Sequence, residues 1–448
     1  MFDSAESKEV VVMSAREIHS SSLLLACLLV AWMGRDGTYP LSAKGDEADA
    51  DVALSRYLIG YREFRTNLPG GRQANVETSR AYLVRADGTD RRELAAELIQ
   101  DEHVYITFAY PNGWSPDGRT AILGCGRKSA ENSAWEEANR SFRTSEGWHY
   151  DMYLLDLATG KTTNVSAPER LSNYNNGLSY WPGNPKKLLG SAVIGGVEHP
   201  VSMDLDGSNK LDLTVGSSEY VYGAAVSPDG SRIAYHSNYQ IYIANADGSN
   251  PRHVSTPNNF NFAAQWSPDG QWVMFLSGEQ TDSNPHLVRS DGTGLRKLAD
   301  RNGHTGMTIM DVPDFHGGSS DIPVWSPVES QIYYTAKIGS SVELMRVSVD
   351  GTIDQLTQSA PETLNYMPAI SPDGKWILFG STSSGIRQLY VMSVDGGEAK
   401  AITNVPSGWG AMFGTWNPVP VAVSESSCWI PALTGGLGEV AAGDMLHD

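Results

Sequence analysis

The sequence predicts an all-β fold, a seven-bladed β-propeller of four-stranded antiparallel blades, on three observations. A WSPDG-type segment followed by apolar strands recurs six times along the 448 residues. Two incomplete units, one near each end of the repeat region, add up to a seventh, so the ring is expected to close by joining N- and C-terminal strands. The composition suits turns and aromatic strands: 45 Gly, 23 Pro, 19 Tyr and 12 Trp accompany only 19% charged residues. A six-bladed ring is the alternative if the two end pieces stay apart.

Before the repeats, Leu23–Met33 (LLLACLLVAWM) is an apolar run too short to span a bilayer alone and of the size of a signal-peptide core. Residues 1–43 are therefore read as a leader, with Met13 as an alternative start and cleavage after Ala43. An uncleaved anchor is the rival reading and the one route to a membrane. Leu24–Cys27 resembles a lipoprotein box, but Cys27 lies inside the run instead of after it. Residues 44–54 open with the acidic KGDEADADV and read as a linker. Residues 421–448 lose all periodicity and are expected to be a disordered tail. The expected location is the periplasm or the exterior.

Only Cys125 and Cys428 follow the leader, a spacing that suits neither a zinc site nor a disulfide framework. With 33 Lys+Arg against 52 Asp+Glu, the net charge of −19 argues against a nucleic-acid partner, which needs a basic surface to displace condensed counterions.

The propeller is placed at 55–420. The first element of each unit appears as NGWSPDGRTAILG, SYWPGNPKKLLGS, AAVSPDGSRIAYHS, AQWSPDGQWVMFLS, PVWSPVESQIYYTA and PAISPDGKWILFGS. The second appears in forms such as IYIANADGSNPRHVS and LYVMSVDGGEAKAIT. RYLIGYREF and AYLVRADGTDRRELA supply three strands without a preceding WSPDG strand, and AMFGTWNPVP supplies that strand at the other end. Spacings of 40, 59 and 45 between Ser227, Ser267, Ser326 and Ser371 fit four short strands with variable loops. Asp-Gly between apolar strands predicts type I′ hairpins, which need positive φ twice. Trp114, Trp181, Trp266, Trp325 and Trp416 share one repeat position and are expected to pack between blades.

These units resemble the TolB-like propeller repeats, SPDG-type relatives of the WD-repeat family, over about four fifths of the chain. Such propellers serve as periplasmic binding proteins, peptidase caps and lyases, so the resemblance implies the fold more firmly than the function. No GxSxG nucleophile elbow follows the repeats, which argues against a peptidase cap.

With strands lettered A to D from the axis outward, the SPDG (A–B) and DG (C–D) turns share one face. Functional residues are then expected in the B–C and D–A connections and at the starts of A strands. Counting back five and six residues from the Ser of SPDG selects Tyr110, Asn176, Tyr222, Asn261, Phe262, Asp321, Asn365 and Tyr366 as ligand-binding candidates at the channel mouth. Their hydroxyl, amide and aromatic groups suit sugars or peptide backbone.

Six of the ten histidines fall on the same face. His199, His236, His286 and His316 are metal candidates, because neutral imidazoles ligate transition metals. His304 shares the long D–A connection with His316. The first and second B–C loops, Arg65–Arg80 and Gly126–His149, add a group of basic residues that suits an anion clamp.

The leading expectation is a binding module for a glycan, a peptide or an envelope protein, monomeric and without a required cofactor. A polysaccharide lyase acting on uronate glycans by β-elimination is the second. It resembles oligogalacturonate lyase in outline and implies a divalent metal (Mn, Ca or Zn), His149 or Tyr222 as base, and Arg127 or Arg143 as neutraliser of the developing enolate. That family's closely spaced histidine motif has no match here. A structural scaffold in a cell-envelope complex is the third.

Overall fold

The structure, a computed structural model, describes residues 52–69, 75, 77–101, 103–139, 147–166, 178–279, 282–304, 306 and 321–421. They form seven four-stranded antiparallel sheets, each ordered A–B–C–D from the axis outward. Blade 4 is typical, with strands Val221–Val226, Arg232–Ser237, Gln240–Asn245 and Arg252–His253. Blade 1 is the composite one: its A strand, Trp409–Trp416, pairs with Leu58–Arg65 from the other end of the chain. The seven-bladed ring and its closure are as the repeats predict. The leader, most of the linker and nearly all of the tail lie outside the described residues, although Leu54 is already packed into the core beside Tyr57.

The core sits between blades. Ile59 and Tyr61 of blade 1 pack on Leu378, Leu389 and Val391 of blade 7, while Leu83 and Leu94 meet Ile106 and Leu123 of blade 2. Strands alternate, so each presents one apolar face to each neighbouring blade. Four of the five recurrent tryptophans, all but Trp325, seal these seams with a hydrogen bond as well as a ring. The Nε1 of Trp114, Trp266 and Trp416 donates to a carbonyl in the preceding blade's A strand (Thr415, Ala225 and Ala369), and Trp181 donates to Gly230 of the next blade.

The SPDG turn is explained atom by atom. In blade 5 the Ser267 hydroxyl donates to Asp269 (2.5 Å) and accepts the N–H of Trp272 (3.0 Å), while Asp269 accepts the N–H of Gln271. Gly270 takes φ +67°, open to glycine without strain. Ser115, Ser227 and Ser371 repeat the pattern.

The DG turns correct the expectation of type I′. In Asn245–Ser249 only Gly248 has positive φ (82°), Gly248 N–H donates to the Asn245 carbonyl, and Asn245 N–H donates to that of Ser249. This is a type I turn closed by a left-handed glycine, with the Asp247 side chain capping Ser249. The aspartate serves as an acceptor there, and needs no positive φ.

A second correction concerns the long B–C connection of blade 2. Part of it is a ten-residue helix, Ala130–Asn139, whose Glu136 is fully buried against Lys128 at 2.7 Å. Ser129 accepts the Asn132 N–H as a helix N-cap.

Candidate functional site

Four A strands share an irregularity near the face that carries the B–C and D–A connections. After Tyr222, Phe262, Tyr366 and Met412 the pairing with the B strand slips, and the next residue is left-handed: Gly223, Ala263, Met367 and Phe413, with φ between 52° and 59°. Only one is glycine. Non-glycine residues in this region are strained by about 1–2 kcal/mol each, and such strain gathers where a site must be shaped.

The residue paired with each of those positions then becomes informative. Tyr222 faces His236, Phe262 faces Leu276, Tyr366 faces Gly380 and Met412 faces Arg62. A Cβ at Gly380 would fall within the Tyr366 ring, so glycine is what allows that ring to lie flat on the B strand.

Blade 2 departs from the counted alignment. Ala109 and Gly113 both bond Ile122, and Tyr110–Asn112 bulge out between them, so Thr107 takes the paired position opposite Gly124. Tyr110 is instead carried sideways to Phe413 of blade 1, at 5.5 Å between ring centroids.

Asp321 is the predicted residue that ties the most distant elements together. Buried at 1% exposure, it accepts bonds from Thr335 Oγ1 (2.5 Å), His304 Nε2 (2.9 Å) and the Met367 N–H (2.8 Å), with Arg301 Nη2 at 3.5 Å. Desolvation pushes its pKa up, but the His304 bond and the Arg301 charge outweigh it and hold the carboxyl below its ordinary value. His304, desolvated, is held below its own ordinary value, which fits a neutral ring donating Nε2–H to the carboxylate. The network ties the blade 5–6 connection to blades 6 and 7.

A run of rings covers blades 4 and 5. Tyr220, Tyr222, His236, Tyr239, Phe260 and Phe262 follow one another at centroid distances of 5.9, 5.3, 5.9, 4.0 and 5.7 Å. Tyr239 sits with Asn238 in a true two-residue type I′ turn, both at positive φ, and its carbonyl is held by the Asn261 amide.

The other predicted residues are dispersed. Asn261 and Asn365 are buried, their amides bonded to the Asn258 and Val342 carbonyls among others. His199 is buried in the C strand of blade 3, its Nδ1 3.0 Å from both Asp212 and Thr214. His286, in the C strand of blade 5, contacts the Asn284 carbonyl, and desolvation lowers its pKa. His199, His236 and His286 thus occupy three different blades, and among the described residues no group of three or more His, Cys, Asp or Glu is placed to hold a metal. His149 is exposed and paired across the ladder with Arg127, which is ion-paired to Asp101. Asn176, Arg143 and His316 lie outside the described residues.

Sequence reading passed over Arg301, Arg62 and Arg387. Arg301 carries no motif. Arg62 could have been found by aligning RYLIGYREF with the other B strands, where it falls at the position of His236.

A family model described as the TolB beta propeller domain matches residues 141–360. Over just under half of the chain, the ring is similar to that domain. An uncharacterized protein of Agrobacterium fabrum is 27% identical over 195 residues, covering 37% of this chain and 63% of that protein. The Tol-Pal system protein TolB of Bordetella pertussis is 28% identical over 175 residues, covering 38% of this chain and 36% of that protein. The match thus spans less than two thirds of either relative. Among solved structures, TolB from Acinetobacter baumannii has a TM-score of 0.46 at 16% identity, covering 85% of this chain and 74% of that one. Oligogalacturonate lyase from Vibrio parahaemolyticus has a TM-score of 0.46 at 13% identity, covering 67% and 82%. No helix among the described residues is long and apolar enough to cross a membrane.

Proposed function

We propose that this TolB-like propeller is an exported or periplasmic binding module whose B–C/D–A face holds a partner protein of the cell envelope. The observation that carries this reading is the construction of that face. Asp321 locks three elements together, and the adjoining aromatic run ends in Tyr220, which is 47% exposed. A rigid rim with accessible amphipathic rings suits protein recognition, where tyrosines give contact area at low entropic cost. The kinship with a TolB of a Tol-Pal system points the same way.

The test is capture from a cell-envelope extract by the purified protein and by a Tyr220→Ala/Tyr239→Ala variant of unchanged melting temperature. Capture of a defined protein by the parent, reduced at least tenfold in the variant, is the expected result. Equal capture by both, or turnover of uronate glycans that persists through purification, would sink the reading in favour of a scaffold or a lyase.

A further inference from the structure

The channel mouth beside blades 7, 1 and 2 differs from the rest of the face. Arg62 lies in the B strand of blade 1, with its Cζ 3.6 Å from the centroid of Phe413. The charges and hydroxyls acting on it most strongly are those of Tyr150 and Tyr105, not a carboxylate. Burial pushes its pKa down to about 10, which leaves it a cation at neutral pH. Its Nε is buried with no hydrogen-bond partner.

Arg387, at the end of the blade 7 B–C connection, stands 5.4 Å over the Tyr366 ring, and its Nη1 is likewise buried and unbonded. Tyr366, Phe413 and Tyr110 belong to one side-chain cluster, so both guanidinium groups border the same aromatic wall. The Tyr110 hydroxyl is also buried without a hydrogen-bond partner, and the Tyr366 hydroxyl has the Arg387 guanidinium beside it.

Native proteins leave few buried polar atoms unmatched, and a partly buried cation with no carboxylate beside it adds to the cost. The nearby carboxylate, Asp321, is saturated by His304, Thr335 and the Met367 N–H. Of the basic residues of the long loops, Arg127 pairs with Asp101 and Lys128 with Glu136, while Arg65 is held by the Asn67 amide and Arg80 by the Ser79 carbonyl.

We infer that Arg62 and Arg387, with the hydroxyls of Tyr110 and Tyr366, form a binding site for a single carboxylate group at the channel mouth. A guanidinium N–H matches the planar geometry of a carboxylate, and the phenols supply further donors. A chain of net charge −19 with two localised cations suits one carboxylate better than a polyanion. The site deepens the reading of this face as a binding face and rests on it.

Isothermal titration of the full chain with succinate, an N-acetylated tripeptide acid, its C-terminal amide, galacturonate and inorganic phosphate tests the site. The expected result is binding of the tripeptide acid or succinate, weakened at least tenfold by Arg62→Met and by Arg387→Met, and absent for the amide. Succinate binding marks a free small carboxylate as sufficient, and binding of the tripeptide acid alone marks a chain-borne one. Arg62→Met should leave the melting temperature unchanged or raise it, because it removes a partly buried cation with no carboxylate partner while keeping an apolar contact to Phe413. Preference for phosphate over every carboxylate, equal binding of the C-terminal amide, binding unaffected by both variants, or no binding with a lowered melting temperature in Arg62→Met would overturn the inference. Envelope-protein capture that persists through such a failure would leave the binding-face reading standing.

Discussion

At the residue scale, the clearest lesson lies in the left-handed position of the A strands. Gly223 and Ala263 occupy it in neighbouring blades at φ 57° and 55°. A Cβ at Gly223 would also come within 2.9 Å of the His236 ring. Gly223→Ala is therefore expected to lower stability by about 1–2 kcal/mol or more in chemical denaturation. Ala263→Gly, which relieves the strain at a modest entropic cost, should leave stability unchanged or raise it by up to about 1 kcal/mol. The opposite ranking would show that the bulge is not where the strain resides. The choice of Met367 and Phe413 at this position was not legible in the sequence, because nothing local requires a left-handed backbone at either. The bulge is imposed by the blade as a whole.

At the scale of elements, the turns were legible because their chemistry is local. Ser, Pro, Asp and Gly each supply something within five residues: a hydroxyl relay, a fixed φ, an acceptor and a left-handed corner. The acceptors also make the turns sensitive to acid. Bonds from the Ser227 and Ser231 hydroxyls push the pKa of Asp229 down to about 2, and Asp206, Asp247, Asp291 and Asp350 are lowered by their own turn donors. A carboxyl whose pKa is lower folded than unfolded contributes stability above the unfolded value, near 4, and loses it as pH falls toward the folded one. Melting temperature should thus decline between about pH 4 and pH 2, and replacing Asp229 with Asn should flatten that decline. A profile unaltered by the substitution would contradict the assignment. The helix Ala130–Asn139 escaped the sequence reading because it buries Asn132 and Glu136 rather than an apolar stripe, and Glu136 is ion-paired to Lys128, outside the helix.

At the scale of the whole molecule, the ring was legible from its repeats, whereas the site was legible only where one blade supplies it. Tyr222, Asp321 and Tyr366 could be counted from a serine in their own blade. Arg62 could be reached only by aligning its B strand with those of the other blades, since its own A strand lies some 350 residues away. The Asp321 network was likewise hidden, because Arg301 and Met367 reach it from different elements. Closure is further held by Asn417, whose side chain donates to the Gly118 carbonyl and whose N–H donates to that of Leu58. Ending the chain at Gly408 removes one of the twenty-eight strands among the described residues. It is nevertheless expected to lower the melting temperature far more than an internal loop deletion of equal length, and to make the product aggregate. A monomeric product of parental stability would refute the closure's role.

The order in which the strands are made gives that closure a further meaning. Leu58–Arg65 is the first described strand to emerge from the ribosome, and its inner partner, Trp409–Trp416, is the last. Until then the growing chain is an open arc with a bare strand edge, the feature most prone to mispairing and to proteolysis. Arg62 meets Phe413 only at that final step, so a prematurely terminated product has neither a sealed edge nor a complete channel mouth.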